Sequence, residues 1–97
     1  MPDILRKVKI VEVINHIEYE AQDVLNQESI KVEIKGKIRM NYILLPVGAV
    51  VFVVTTEDAP TSGRLIPEKD ICFSKRNEHL CQQKRAIEQE EDARSNN

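Results

Sequence analysis

Five short strand signals before Pro67, an irregular segment between the third and the fourth, and a charged stretch after Pro67 predict an all-β fold. The expected form is a small five-stranded barrel over residues 1–67, followed by a charged tail over 68–97 that is helical or disordered. With 97 residues the chain holds one core domain at most.

The strands follow from local patterning. Val8 to Ile14 is β-branched and partly alternating, which suits a half-buried strand. In His16 to Ala21, Ile17, Tyr19 and Ala21 share one face, and Glu18 and Glu20 the other. Asp23 to Ser29 supplies turn formers, and Ile30 to Ile34 alternates cleanly. Val50 to Thr56 is nearly continuous in apolar residues, so burial on both faces is expected. Glu57 to Gly63 is a loop by composition, and Arg64 to Ile66 is a last short strand stopped by Pro67. An inserted segment between strands three and four is the arrangement of the OB barrel. A small sandwich or an SH3-like barrel fits the strand count nearly as well.

Beyond Pro67 the composition turns to Gln, Glu, Lys and Arg. Asn77 is placed to cap a helix reaching about Asp92. Leu80, Ala86 and Ile87 give that helix only a thin apolar stripe, too little by itself to anchor it.

Composition excludes several function classes. A formal net charge of −2 and a pI near 5.7 are not those of a general polyanion binder. The longest apolar stretch, Ile43 to Val54, contains Pro46 and Gly48 and falls short of the roughly 18 residues of a membrane span. The N-terminus MPDILRKVK lacks the order of a secretory signal. A cytoplasmic protein is expected, and in that setting Cys72 and Cys81 are by default free thiols. The spacing of Cys72, His79 and Cys81 matches no standard zinc arrangement, so no metal or other cofactor is expected. With only three Gly in all, no Gly-rich phosphate loop exists, and nothing resembles a Ser-His-Asp or Cys-His arrangement. The chain is not expected to be an enzyme.

One stretch stands out against the acidic whole. Gly36 to Ile43 reads GKIRMNYI, with Lys37 and Arg39 alternating with apolar residues before an Asn-Tyr pair. After it come Gly48, Val51-x-Val53 and Gly63-Arg64-Leu65. Without a gap from Gly36 to Leu65, this pattern resembles bacterial-type translation initiation factor one, a single OB-fold domain. The resemblance implies a non-enzymatic, monomeric RNA-binding protein that occupies the small ribosomal subunit near its decoding site, with other translation factors as further partners and no membrane association. It makes Lys37, Arg39, Asn41, Tyr42 and Arg64 the candidate ribosomal-RNA contacts. Cations gain from phosphate contact and counterion release, and Arg offers a planar fork to phosphates and base edges. Asn41 equally suits stabilising a turn, and Tyr42 suits packing its ring on the barrel better than stacking on a base.

The chain departs from the family where further basic residues are usual. It has Leu44-Leu45-Pro46-Val47, Ala49-Val50 and Pro67-Glu68-Lys69-Asp70 instead. Lys75 and Arg76 are candidates for additional RNA contact that would restore part of the basic surface. The alternative is an OB-fold protein-interaction module that keeps the scaffold without RNA binding. Leu44, Leu45, Val47 and Val50 would then be an apolar contact surface, unless they are simply core. Arg64 could also be tied up in a surface ion pair with Glu57 or Asp58.

Overall fold

The computed structural model describes residues 3–34, 45–73 and 75–95. Five strands run β1 (Asp3–Val13), β2 (Glu18–Asp23), β3 (Ser29–Glu33), β4 (Val50–Thr56) and β5 (Ser62–Ile66). A short helix α1 (Glu68–Ile71), a 3₁₀ turn (Lys75–Asn77) and a long helix α2 (Glu78–Ser95) complete the described chain.

The strands close into a barrel in the order β1-β2-β3-β5-β4, with only β3 and β5 parallel. This is the five-stranded OB arrangement expected from the sequence. The register slips between Ile10 and Glu12, where Val11 is the extra residue of a β-bulge facing Ala21 and Glu20 of β2. The bulge bends β1 so that its first half pairs with β4 and its second half with β2.

The barrel interior is filled by Val8, Ile10, Tyr19, Ala21, Ile30, Val32, Val53 and Leu65, all buried. These residues sit at alternate positions, as a period of two requires. At one end of the barrel Arg6 is held by Asp23 at 3.1 Å and Glu28 at 3.3 Å. The other carboxylate oxygen of Asp23 accepts the Leu25 and Asn26 N–H groups, which fixes the β2–β3 turn.

A second cluster lies outside the barrel. Leu5, Phe52 and Val54 face Ile71, Leu80 and Ile87, and all six are buried. This explains the continuous apolar run of β4. Val53 points inward, while Phe52 and Val54 point outward beneath α2. The apolar stripe that looked too thin to anchor the helix is sufficient because polar contacts supplement it. The Gln83 amide accepts the Leu5 N–H at 2.8 Å and donates to the Asp3 carbonyl at 3.1 Å. It thereby covers the edge of β1 that extends past β2. Lys7 pairs with Glu91 at 2.7 Å, Arg94 donates to the Leu25 carbonyl, and Lys7 and Lys84 each lie 5.9 Å from the Phe52 ring centre.

The expectation of two free thiols is corrected: Cys72 and Cys81 form a disulfide. Each cysteine directly follows a buried residue of the outer cluster, Ile71 or Leu80. Packing those two residues together brings the cysteine Cα atoms to 4.8 Å, within bridging distance.

Candidate nucleic-acid interface

The connection between β3 and β4 carries most of the candidate contacts. Lys37, Arg39, Asn41 and Tyr42 lie outside the described residues, as does Leu44. The two points where the connection leaves and rejoins the barrel are well defined. Ile34 is 2% exposed and donates its N–H to the Ile17 carbonyl at 2.9 Å. Leu45 is 6% exposed and donates its N–H to the Tyr19 hydroxyl at 3.2 Å. Both anchors therefore meet the start of β2, one at Ile17 and the other at Tyr19. The Tyr19 ring is fully buried, so its hydroxyl is a fixed internal acceptor for the returning chain.

The chain then turns at Gly48, whose φ of +96° is disfavoured for a residue with a Cβ. The Gly48 N–H reaches the Ile10 carbonyl at 2.7 Å, and the Ile10 N–H reaches the Ala49 carbonyl at 2.8 Å. These bonds pin the turn to β1 beside the bulge. Leu45 belongs to the core, whereas Val47 and Val50 are exposed, so the apolar run is divided between the two expected roles.

Gly63 and Arg64 have different jobs. Gly63 is buried against β4. A Cβ there would come within 3.0 Å of the Thr55 methyl and 3.1 Å of the Val54 carbonyl oxygen. The glycine of the Gly-Arg pair thus suits the close approach of β5 to β4, where a larger residue would have to push its neighbours aside. Arg64 projects from the outer face, in register with Val54 on one side and Glu33 on the other. Glu33 immediately precedes Ile34, so Arg64 borders the point where the basic connection leaves the barrel. Arg64 is thus brought next to Glu33, the last residue of β3, 31 positions earlier in the chain.

The electrostatics of that corner are mixed. Arg64 pairs with Asp3 at 3.8 Å, not with Glu57 or Asp58 as the sequence suggested. The extended start of β1 brings Asp3 there, and nothing in the local pattern marks it. The side chains of Arg64 and Asp3 are 55% and 33% exposed, so the pair is a weak surface contact that a phosphate could displace. Asp3, Glu33, Thr56, Ser62 and Arg64 line an open groove of about 240 Å³. On the adjoining outer face of β2 and β3, Glu18, Glu20 and Lys31 are also set, with Lys31 3.4 Å from Glu18.

Lys75 and Arg76 do not reach this groove. Both are exposed in the 3₁₀ turn before α2, and Lys75 lines a different cavity with Cys72, Phe73, Glu78 and Cys81. The disulfide removes both thiolates as metal ligands, and no cluster of three or more His, Cys, Asp or Glu among the described residues is arranged to hold a metal. No helix among the described residues is long and apolar enough to cross a membrane.

No family model matches the sequence, and no curated protein matches it. Among solved structures, the chain is similar to translation initiation factor one from the Wolbachia endosymbiont strain TRS of Brugia malayi, with a TM-score of 0.53 and 16% identity. The superposition covers 74% of this chain and 90% of that one. At this identity the likeness is one of fold, and the architecture is that of the factor: a five-stranded OB barrel, here extended by a helix docked on its outer wall.

Proposed function

We propose that the chain is a non-enzymatic, RNA-binding translation factor that acts by occupying the small ribosomal subunit near its decoding site. The observation that carries this reading is the coincidence of the ungapped Gly36 to Leu65 pattern with an initiation-factor-like barrel. Two of the pattern's glycines support it: Gly48 forms a positive-φ turn and Gly63 lies at the close β4–β5 contact. Its basic residues fall on the β3–β4 connection and on Arg64 at the connection's exit. In this reading Lys37, Arg39 and Arg64 contact phosphates, and Asn41 and Tyr42 contact bases. Binding requires no covalent step, and a monomer suffices. Other translation factors on the same subunit are the natural further partners.

Co-sedimentation with purified small ribosomal subunits at low and at physiological salt tests the reading. Saturable binding that weakens with salt is expected, because phosphate contacts release counterions. The Lys37→Glu/Arg39→Glu variant should lose most of it. Equal binding by this variant and the wild type would sink the site assignment.

One observation favours a second reading, a protein-interaction module. Carboxylates crowd Arg64, and Val47 and Val50 present 64% and 50% of their surface to solvent. In that case subunits would not be bound at either salt, and a salt-insensitive protein partner would be.

A further inference from the structure

Phe73 is 89% exposed, whereas the other phenylalanine, Phe52, is 4% exposed. Phenylalanine is ordinarily an interior residue, and this one stands almost wholly in solvent. It directly follows Cys72, whose disulfide to Cys81 ties the end of α1 to the first turn of α2. Ile71 and Leu80, the residues before the two cysteines, are buried at 0% and 1% exposure. The ring therefore stands beside a doubly anchored point.

Phe73 borders two shallow cavities. One, of about 410 Å³, is lined by Cys72, Phe73, Lys75, Glu78 and Cys81. The other, of about 250 Å³, is lined by Lys69, Asp70 and Phe73. Each cavity thus sets one lysine and one carboxylate beside the same ring. Neither Lys69 nor Lys75 makes an ion pair among the described residues, so both ammonium groups are available to a ligand. Arg76 is exposed one residue further on.

We infer that Phe73 is a stacking platform for an unpaired base of single-stranded RNA, with Lys69 and Lys75 contacting the flanking phosphates. The inference rests on the RNA-binding reading above and adds a second contact site to it. An exposed aromatic ring with cations on its flanks is the combination that single-stranded nucleic acid uses: the π-face takes a base and the charges track the backbone. The carboxylates of Asp70 and Glu78 would repel a phosphate but can accept hydrogen bonds from the amino groups of a stacked base. The site serves unpaired RNA, since a base inside a duplex has no free face.

The test uses the full-length oxidised chain and a fluorescein-labelled single-stranded RNA of about 12 nucleotides, within the span an OB-type domain tracks. Anisotropy titrations are run on the wild type, Phe73→Leu, Phe73→Trp and Lys69→Glu/Lys75→Glu. Phe73→Leu keeps an apolar side chain without a π-face and should weaken binding by about 5- to 100-fold. Phe73→Trp should retain it, and the lysine double variant, which removes two phosphate contacts, should flatten the salt dependence by about 1.4 log units per log salt. Because Phe73 is solvent-exposed, unchanged thermal unfolding of the variants rules out a folding artefact. Wild-type affinity in Phe73→Leu overturns the inference, as does a wild type that does not bind the oligonucleotide. So does a Phe73→Leu variant that keeps RNA affinity but loses a protein partner, which would make the ring a protein anchor. The failure of the ribosomal reading looks different: subunits are not bound, while Phe73 still controls oligonucleotide affinity.

Discussion

Replacing Leu80 by Ala tests whether α2 is part of the folded unit. Leu80 is 1% exposed and lies in the cluster with Leu5, Phe52, Val54, Ile71 and Ile87. Truncation to Ala removes its isobutyl contacts and leaves a cavity between helix and barrel, a change that costs about 2–5 kcal/mol in buried sites. The cluster is a satellite of the main core and can partly collapse, so the lower half of that range, about 2–3 kcal/mol, is expected. For a domain of this size that lowers the unfolding midpoint by about 10–20 °C. Urea titrations followed by far-UV circular dichroism and by tyrosine fluorescence provide the assay. The two probes should shift together with an unchanged slope, because the helix and the barrel share Leu5, Phe52 and Val54. Gln82→Ala, on the exposed side of α2, should change stability by less than about 0.5 kcal/mol. A Leu80→Ala variant as stable as Gln82→Ala would refute the docking of α2. Loss of helical signal well before the tyrosine signal would refute the single cooperative unit.

Other perturbations probe separate links. Reducing the Cys72–Cys81 bond, or replacing both residues by Ser, frees a loop spanning a sequence separation of 9. Chain entropy alone makes that loss about 2.5–3 kcal/mol, read as a lower urea midpoint, and no change would show that the bridge does not constrain the unfolded chain. Tyr19→Phe leaves the Leu45 N–H without its acceptor at the end of the β3–β4 connection. A buried unpaired donor costs about 1–3 kcal/mol, and a variant within about 0.3 kcal/mol of the wild type would show that the N–H finds another partner. Glu88 is held below its ordinary carboxyl value of 4.5 by the hydrogen bond with Lys84, 2.6 Å away, with desolvation opposing. A depressed folded value means the stabilisation is fully present above pH 4.5 and is lost as the pH falls through the lower folded value. Since the Glu88 side chain is 47% exposed, Glu88→Gln should cost no more than about 0.5 kcal/mol at neutral pH. That difference should vanish in strong acid and shrink with added salt; a difference that grows on acidification would contradict the assignment.

Much of the barrel was legible locally. The β4 boundaries expected from the apolar run, Val50 to Thr56, coincide with those observed, because seven consecutive β-formers lie between the Gly48 turn and the polar Glu57-Asp58. The strand β1 begins five residues earlier than its alternation suggested, at Asp3 instead of Val8. Its first half has two buried sides: Leu5 serves the outer cluster while Arg6 is bound by Asp23 near the barrel end. Two superposed patterns erase a period of two. The outer cluster had a trace in the sequence after all, since a β4 buried on both faces requires a cover. The pattern did not show which segment supplies it.

The candidate site divides in the same way. Sequence by itself determined the residue types and their spacing: a basic connection after β3, a glycine for the positive-φ turn at Gly48, and Gly63 beside Arg64. These are properties of a chain segment and its immediate backbone needs. Tertiary structure alone decided that Arg64 stands beside Glu33 and Asp3, that Lys75 faces Phe73 instead of Arg64, and that Cys72 meets Cys81. Each of those depends on partners distant in the chain or on how a turn folds back. Local periodicity carries no record of such contacts; barrel closure and the packing of Ile71 and Leu80 against Leu5, Phe52 and Val54 create them.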